Sequence, residues 1–291
     1  MAEIDPFSEG PLFPLLAVGM CFVGCLLGVL SLKRARRGPT VLARVRWVVL
    51  GALALGGTGA WATHFVAMLG FAVAGTPIRY DGPLMLLSVG VAVVASGLGL
   101  ALLAGGGRTL LGVRATLAGT VVGLGVAGTH YGSMAALHLH AVLTVDRAML
   151  GAAVVVAVSG SVIALWTSVA QQGRMFVTIA ALCQAAAVCG MHYLLIAGTS
   201  AELTEATGPL PGGVSSDLGE PLLLGLSVVT VVALILVVTA PDAREEQEER
   251  RVLARLAERS GGDPWTEALG PGTGSSRPSS HGGRAAAEDD R

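Results

Sequence analysis

A histidine followed by an aromatic residue recurs three times along this chain, each time within an apolar stretch rich in small residues. The segments read GAWATHFVAM, GVAGTHYGSM and AVCGMHYLLI, and their histidines are His64, His130 and His192. Imidazole is a common ligand of transition-metal ions, and a buried polar ring without a partner is costly. The pattern predicts a site in which a shared metal, water or small ligand satisfies the three rings. Three separate core histidines, each bonded to a neighbouring helix, are the alternative.

One thioether accompanies each of these imidazoles. Met68 and Met134 follow their histidines by four residues and so share a helix face with them, whereas Met191 directly precedes the third histidine. Imidazole suits copper, zinc and iron, and thioether sulfur selects Cu(I), so this set favours copper. Methionine also fills gaps in apolar packing, which is the alternative reading. The absence of acidic residues from these stretches argues against Ca²⁺ or Mg²⁺.

Other side chains near the repeats could assist such a site. Trp61, Tyr131 and Tyr193 could contact a bound ligand, although amphipathic rings near a membrane interface need no function. His138 and His140 follow the second repeat and could pass a metal inward, or could be solvated residues of a connector.

The four cysteines do not form the pattern of a secreted disulfide framework. Cys21 and Cys25 share one face of the first apolar stretch, and Cys183 and Cys189 lie in a later one. We expect free thiols. Cys189, close to the third histidine, could bind a soft metal or be an ordinary small apolar residue.

The elements that carry these residues are membrane helices. The chain is 53% hydrophobic and only 13% charged, with a mean hydropathy of +0.69. Seven stretches are long and apolar enough to cross a bilayer, near 11–32, 47–71, 84–104, 115–137, 149–170, 175–198 and 221–240. We predict an all-α membrane protein with three parallel two-helix repeats and a seventh helix.

The distribution of cations predicts the orientation of these helices. Lys and Arg concentrate in the connectors after the first, third and fifth stretches, whereas the other connectors hold only Arg79 and Arg147. Basic connectors stay in the cytoplasm, which places the N-terminus outside. The histidines then lie on the second, fourth and sixth helices, six or seven residues before the external ends and roughly 10 Å below the outer boundary.

The predicted organisation has four parts. Residues 1–10 form an external segment that is acidic and so is not a cleaved signal peptide, and residues 11–240 form the membrane domain. Residues 241–260 form a short charged cytoplasmic helix, and residues 261–291 a disordered tail. No catalytic domain is recognised, so an enzyme is not expected. The net charge of −1 gives no reason to expect a nucleic-acid partner.

The repeated histidine–aromatic pairs resemble the MHYT family, bacterial membrane sensor domains named for a Met-His-Tyr-Thr motif in alternate helices. The resemblance covers residues from about 11 to 240. His64, His130 and His192 match the family histidines, Met68 and Met134 its downstream methionines, and Met191 its leading methionine. The departures from the family pattern are Thr63, Phe65, Thr129 and Ile196.

The resemblance implies a protein of the bacterial plasma membrane that binds copper and senses a diatomic gas such as O₂, CO or NO. Members often carry cyclic-di-GMP or DNA-binding domains, so this chain is expected to signal to a separate cytoplasmic partner. A metal-handling protein or transporter, a bis-histidine haem protein and a purely structural membrane protein are the alternatives.

Overall fold

The computed structural model describes residues 2–105, 110–171, 173–205, 208–239, and residues 251, 252 and 255. Within these residues, seven helices are long and apolar enough to cross a membrane, which confirms the predicted count. They are α1 (Leu12–Arg37), α2 (Val41–Leu69), α3 (Gly82–Ala104), α4 (Leu111–Ala135), α5 (Arg147–Ala170), α6 (Arg174–Ala197) and α7 (Ser215–Thr239). The predicted ends at residues 104 and 170 coincide with those of the structure, and the other bounds differ by one to six residues.

Side-chain caps explain why several helices begin earlier than predicted. The side chain of Asp81 accepts a hydrogen bond from the Leu84 amide, and that of Asp146 accepts from the Met149 amide, both at 2.9 Å. These carboxylates satisfy backbone donors that the start of a helix leaves unpaired. Helices α3 and α5 therefore begin at the cap, before the apolar run on which the prediction rested.

Helix α2 is not uniform. It is α-helical over Val41–Ala52, π-helical over Leu53–Ala62 and α-helical again over Thr63–Leu69. A π-segment is a wider turn that is frequent at functional sites, and here it ends two residues before His64. The hydropathy pattern predicted an uninterrupted span, because apolarity carries no information on the hydrogen-bond register of a helix.

Close backbone contact fixes α2 against its neighbours. A Cβ atom added to Gly56 would lie 2.3 Å from the carbonyl oxygen of Ala92 on α3, and one added to Gly24 of α1 would lie 2.4 Å from the amide nitrogen of Gly59. Only glycine permits these approaches. Helix α1 also packs against α3, α5, α6 and α7, so it occupies the middle of the bundle.

Short antiparallel strand pairs link the connectors at the end of the bundle where α2, α4 and α6 finish. They are β1 (Ile4–Asp5) with β2 (Ala72–Val73), β3 (Arg79–Tyr80) with β4 (Leu137–His138), and β5 (Ala141–Val145) with β6 (Thr199–Leu203). We call this the strand-bearing end. Strand β1 ties the N-terminal segment to the connector after α2.

The opposite end is held by basic side chains of α1. Lys33, Arg34 and Arg36 donate hydrogen bonds to the carbonyl oxygens of Gln171, Val237 and Leu103, respectively. These carbonyls lie at the C-terminal ends of α5, α7 and α3, where a positive charge complements the helix dipole. Helix α1 is thus hydrogen-bonded to the C-terminal ends of α3, α5 and α7.

Met1–Thr239 form one compact unit. Of the predicted charged helix over 241–260, Arg251, Val252 and Arg255 are helical, and the remainder lies outside the described residues, as does the predicted disordered tail.

Candidate metal centre

The three histidines of the repeat meet in one buried cluster. The ring centroids of His64 and His130 are 4.6 Å apart, and each lies 5.1 Å from that of His192. Adjacent rings are nearly perpendicular, at 76–80°. One nitrogen from each ring lies within 4.8 Å of the other two, so the cluster could hold a metal ion.

The helices place these rings at one depth. Each histidine stands five residues before the last residue of its helix: α2 ends at Leu69, α4 at Ala135 and α6 at Ala197. At 1.5 Å per residue this is about 7.5 Å inside the helix ends. The common depth agrees with the sequence prediction, although the cluster is one or two residues closer to the ends than predicted.

His192 has an unusual pair of contacts. Its Nδ1 atom lies 3.2 Å from Nδ1 of His64 and also 3.2 Å from Nδ1 of His130. A ring nitrogen has either one proton to donate or one lone pair with which to accept. One Nδ1 atom therefore cannot make a good hydrogen bond to both neighbours, whereas one shared partner would satisfy all three nitrogens.

The distances fit a metal ion as that partner. Two imidazole nitrogens bound tetrahedrally to one ion at about 2.0–2.1 Å lie about 3.3–3.4 Å apart. The observed separations of 3.2 Å are close to this value. The two separations at His192 are thus compatible with three ligands of one ion.

The three residues that follow the histidines by one turn form the next layer of packing. Met68, Ile196 and Met134 belong to one apolar cluster at the strand-bearing end, together with Phe71 and Ala201. Two thioethers thus lie in the layer beside the triad. A direct ligand role for either remains a prediction.

Met191 lies in a different environment from the other two methionines. It is 2% exposed and belongs to the main core cluster, which also contains Cys21 and Val126. Adjacent residues of a helix point about 100° apart, so Met191 faces the core beside His192 instead of extending the Met68 layer. Its ligand role also remains a prediction.

A polar network centred on Ser88 holds the helices that carry His64 and His130. The indole Nε1 of Trp61 donates to Ser88 Oγ at 3.0 Å, and Ser133 Oγ lies 3.0 Å from the same atom. Thr129 donates to the Ser88 carbonyl oxygen. Because Ser88 is on α3 and its partners are on α2 and α4, the network fixes the rotation of both histidine-bearing helices.

Sequence reasoning did not identify Ser88 or Ser133 as part of the site. Their signal was a hydroxyl within an apolar span, but serine is frequent in membrane helices, where it can bond to its own backbone. Sequence reasoning also did not single out the buried Gln184. Its side-chain amide donates to the Ser161 hydroxyl at 3.0 Å and joins α6 to α5.

The aromatic candidates have three different environments. Trp61 is fully buried and stacks on Phe65, with ring centroids 5.3 Å apart. Its indole donates to Ser88 in the network described above. The ring of Tyr193 contacts that of His192, with centroids 5.0 Å apart. Tyr131 is 69% exposed, so most of its ring faces away from the triad. Of these three candidates, Tyr193 is the one whose ring contacts the triad, and it does so edge-on at 77°.

The two connector histidines lie at the strand-bearing end. His138 is part of β4 and pairs with Arg79, and its buried Nδ1 atom makes no hydrogen bond to the described residues. His140 Nε2 lies 3.1 Å from the carbonyl oxygen of Gly208. Their proposed part in passing a metal inward stays a prediction.

All four cysteines are free, as expected. Cys21 on α1 belongs to the main core cluster, and Cys189 on α6 packs against that cluster. Cys21 also contacts the Ala185 carbonyl oxygen at 3.8 Å. Helices α1 and α6 therefore meet through soft side chains in the core cluster that also contains Met191. A metal-binding role for Cys189 remains a prediction.

Comparison with known proteins gives a family-level match. The model of the MHYT repeat, described as a bacterial signalling protein N-terminal repeat, matches residues 57–116 and 123–181. These matches contain His64 and His130, and the segment around His192 follows the second of them. No solved structure matches the chain.

Two similar proteins come from Pseudomonas aeruginosa. The bifunctional diguanylate cyclase/cyclic di-GMP phosphodiesterase MucR is 32% identical over 229 residues, which are 76% of this chain and 33% of that protein. The cyclic di-GMP phosphodiesterase NbdA is 34% identical over 248 residues, 82% of this chain and 30% of that protein. An uncharacterised signalling protein of Caulobacter vibrioides is 32% identical over 151 residues, 52% of this chain and 18% of that protein. The chain spans a third or less of the length of these relatives.

Proposed function

The chain belongs to the MHYT family of bacterial signalling proteins, and on that premise we propose that it is a membrane sensor whose His64, His130 and His192 hold one transition-metal ion. The main support for this proposal is that Nδ1 of His192 lies 3.2 Å from Nδ1 of His64 and 3.2 Å from Nδ1 of His130. A shared ion satisfies all three nitrogens at once, which pairwise hydrogen bonding does not.

Copper is the ion that this donor set favours. Three imidazoles suit several first-row metals, but the neighbouring thioethers of Met68 and Met134 and the nearby thiol of Cys189 are soft groups. Among the described residues, the candidate metal cluster consists of three histidines and includes no carboxylate, which makes a hard cation a poor fit. The metal-binding set is therefore the three histidines, with the two methionines as additional candidates.

The geometry favours a single ion over haem. A haem bound axially by two of these histidines would need its macrocycle between their rings. The third ring lies within 5.1 Å of both, in the space that the macrocycle would require. A single ion needs only the small volume at which the three nitrogens converge.

A site with three protein ligands provides an open coordination position, and this is the property that sensing requires. A diatomic gas such as O₂, CO or NO is small enough to use it without rearranging the bundle. We assign the strand-bearing end to the outer side of the plasma membrane, in keeping with the basic residues at the opposite end.

The output of the sensor is proposed to act on a separate cytoplasmic protein. Two relatives are named for cyclic di-GMP synthesis or breakdown, and each is about three times longer than the part that matches. Helix α1 provides a physical route, since Cys21 shares a core cluster with Met191, the neighbour of His192, and Arg34 contacts Val237 near the end of α7. A small shift of α1 would displace the end of α7.

The decisive experiment is metal analysis of the protein purified in detergent. We expect one copper ion per chain after loading with Cu(I), and none bound tightly by His192→Ala. His140→Ala is the matched control, because His140 lies in a connector and should leave the stoichiometry unchanged. A wild-type protein that neither contains nor takes up a transition metal would refute the proposal.

Sensing and transport are then distinguished on the same protein. A sensor should give an infrared band of added CO that disappears in His192→Ala, and copper should not accumulate in proteoliposomes. Copper uptake that depends on the triad would instead establish the metal-handling alternative.

A further inference from the structure

A pocket opens on the side of the bundle between α4, α5 and α6. Its volume is about 170 Å³, and strand β5 covers one edge. The side chains that shape it are His130, Met134, Leu143, Val145, Leu150 and Leu195. Its lining thus includes one histidine of the triad.

The pocket is lined both by exposed residues of the bundle surface and by one buried histidine of the triad. Its inner wall includes His130, which is only 4% exposed, and its rim includes Tyr131 and Leu150, which are 69% and 38% exposed. Tyr131 is four residues before the end of α4, and Leu150 is three residues after the start of α5. The mouth is therefore about one helical turn inside the span, where lipid surrounds a membrane protein.

The lining selects for small, uncharged molecules. Apart from His130, its inner walls are aliphatic or thioether groups, and the hydroxyl of Thr199 is already bonded to the Leu195 carbonyl oxygen at 2.7 Å. An apolar cavity of about 150 Å³ is known to stay dry and to accept benzene or xenon. A charged or strongly polar ligand would lose its hydration here without replacement.

A second pocket provides a contrast. It lies at the strand-bearing end near Met68, has a volume of about 300 Å³, and is lined in part by Ser8, Glu9 and Thr76. Polar groups and a carboxylate suit a hydrated solute. The two pockets therefore differ in both the direction and the chemistry of approach.

We propose that the side pocket is the docking and entry site for a small uncharged gas molecule, which reaches the histidine centre laterally from the bilayer. This inference rests on the proposed function, because it supplies the ligand that the metal centre would bind. Apolar diatomic gases dissolve better in hydrocarbon than in water, so an entry from lipid also raises the local ligand concentration.

Xenon and CO test the pocket by two independent readouts. Crystals of the wild-type protein pressurised with xenon should give an anomalous peak between His130, Leu150 and Leu195, whether or not metal is present. Leu150→Trp, which fills the mouth, should remove this peak. In copper-loaded protein it should slow CO association by about tenfold, which corresponds to about 1.4 kcal/mol of added barrier.

Val155→Trp is the matched control, because Val155 is on the same helix and is 65% exposed. It should leave both the xenon peak and the CO rate unchanged. Leu195→Phe provides a second filled pocket if Leu150→Trp does not fold. The absence of xenon from the wild-type pocket, or an unchanged CO rate in both filled variants with full copper content, would overturn this inference and leave the proposed function intact. If no copper binds, the proposed function fails, and the xenon peak alone decides whether the pocket accepts small apolar molecules.

Discussion

The Nδ1 atoms of His64 and His192 lie 3.2 Å apart although 128 residues of chain separate them. Each ring is nearly perpendicular to the other, at 80°. The Nδ1 atom of His130 lies at the same distance from His192, and one Nδ1 atom cannot make a good hydrogen bond to both neighbours. This relationship makes the histidines one site and leads to the first prediction.

Copper should stabilise the protein only when the triad is intact. A ligand that binds the folded state alone contributes about 2.7 kcal/mol at a hundredfold excess over its Kd. We expect Cu(I) to raise the Tm of the wild-type protein and to leave that of His192→Ala unchanged, as measured by thermal unfolding in detergent. His140→Ala should show the wild-type shift. Equal shifts in the wild-type protein and His192→Ala would place the bound copper elsewhere.

Ser88→Ala should weaken the site without removing a metal ligand. The substitution takes one partner from the Trp61 indole and from Ser133, so buried donors lose their acceptor. We expect a loss of about 1–3 kcal/mol in the free energy of unfolding and a higher Kd for copper. Ser159→Ala is the control, because its exposed hydroxyl bonds only to the Val155 carbonyl oxygen of its own helix. Similar losses in both variants would show that the Ser88 network has no special role.

Gly56→Ala should disturb the packing of the π-segment against α3. The new methyl group would lie 2.3 Å from the Ala92 carbonyl oxygen, and neither backbone can move freely. We expect a destabilisation of about 1–3 kcal/mol, seen as a lower Tm. Gly90→Ala on α3 is the matched control, since a methyl group there meets no atom of the described residues within 4 Å. A Tm for Gly56→Ala equal to that of the control would refute the close contact.

Mild oxidation should join α1 to α6 through Cys21 and Cys189. In a Cys25→Ser/Cys183→Ser variant, diamide should oxidise the two remaining thiols to a disulfide and itself be reduced to the hydrazide. Linked peptides identified by mass spectrometry provide the measurement. A Cys25→Ser/Cys189→Ser variant keeps Cys183, which is six residues or about 9 Å along α6 from position 189. Crosslinking to Cys183 as readily as to Cys189 would contradict the contact.

Alkaline pH should destabilise the strand-bearing end through Tyr80. Burial raises the pKa of this phenol to about 12, whereas the unfolded chain releases the proton near pH 10. The stabilisation is therefore complete below about pH 10 and is lost as the pH rises towards 12, with a total of about 2–3 kcal/mol. Tyr80→Phe should lack this component in chemical unfolding at pH 8 and pH 11. Tyr131→Phe, at an exposed position, should retain the wild-type dependence; if it does not, the assignment to Tyr80 is wrong.

Much of the architecture could be predicted from one-dimensional patterns. Seven apolar runs predict seven spans because a bilayer requires a minimum helix length, and the part of the chain that the structure describes confirms the count. The equal placement of His64, His130 and His192 within their repeats predicts a common depth, because the rise per residue of a helix is fixed. These properties depend on positions along single helices, so the sequence by itself determined them.

The remaining features depend on how helices rotate and approach one another, which no single-helix pattern encodes. The convergence of the three rings requires the contacts of Gly56 and Gly24 and the hydrogen bonds of Ser88, each of which joins residues far apart in the chain. Met191 lies in the main core, apart from the Met68 layer, because of how α6 is rotated about its own axis. The π-segment and the strand pairs likewise arise from backbone groups finding partners in neighbouring elements. Sequence determined the depth of the histidines, and only tertiary packing decided their direction, because depth follows from helix geometry whereas direction follows from contacts between helices.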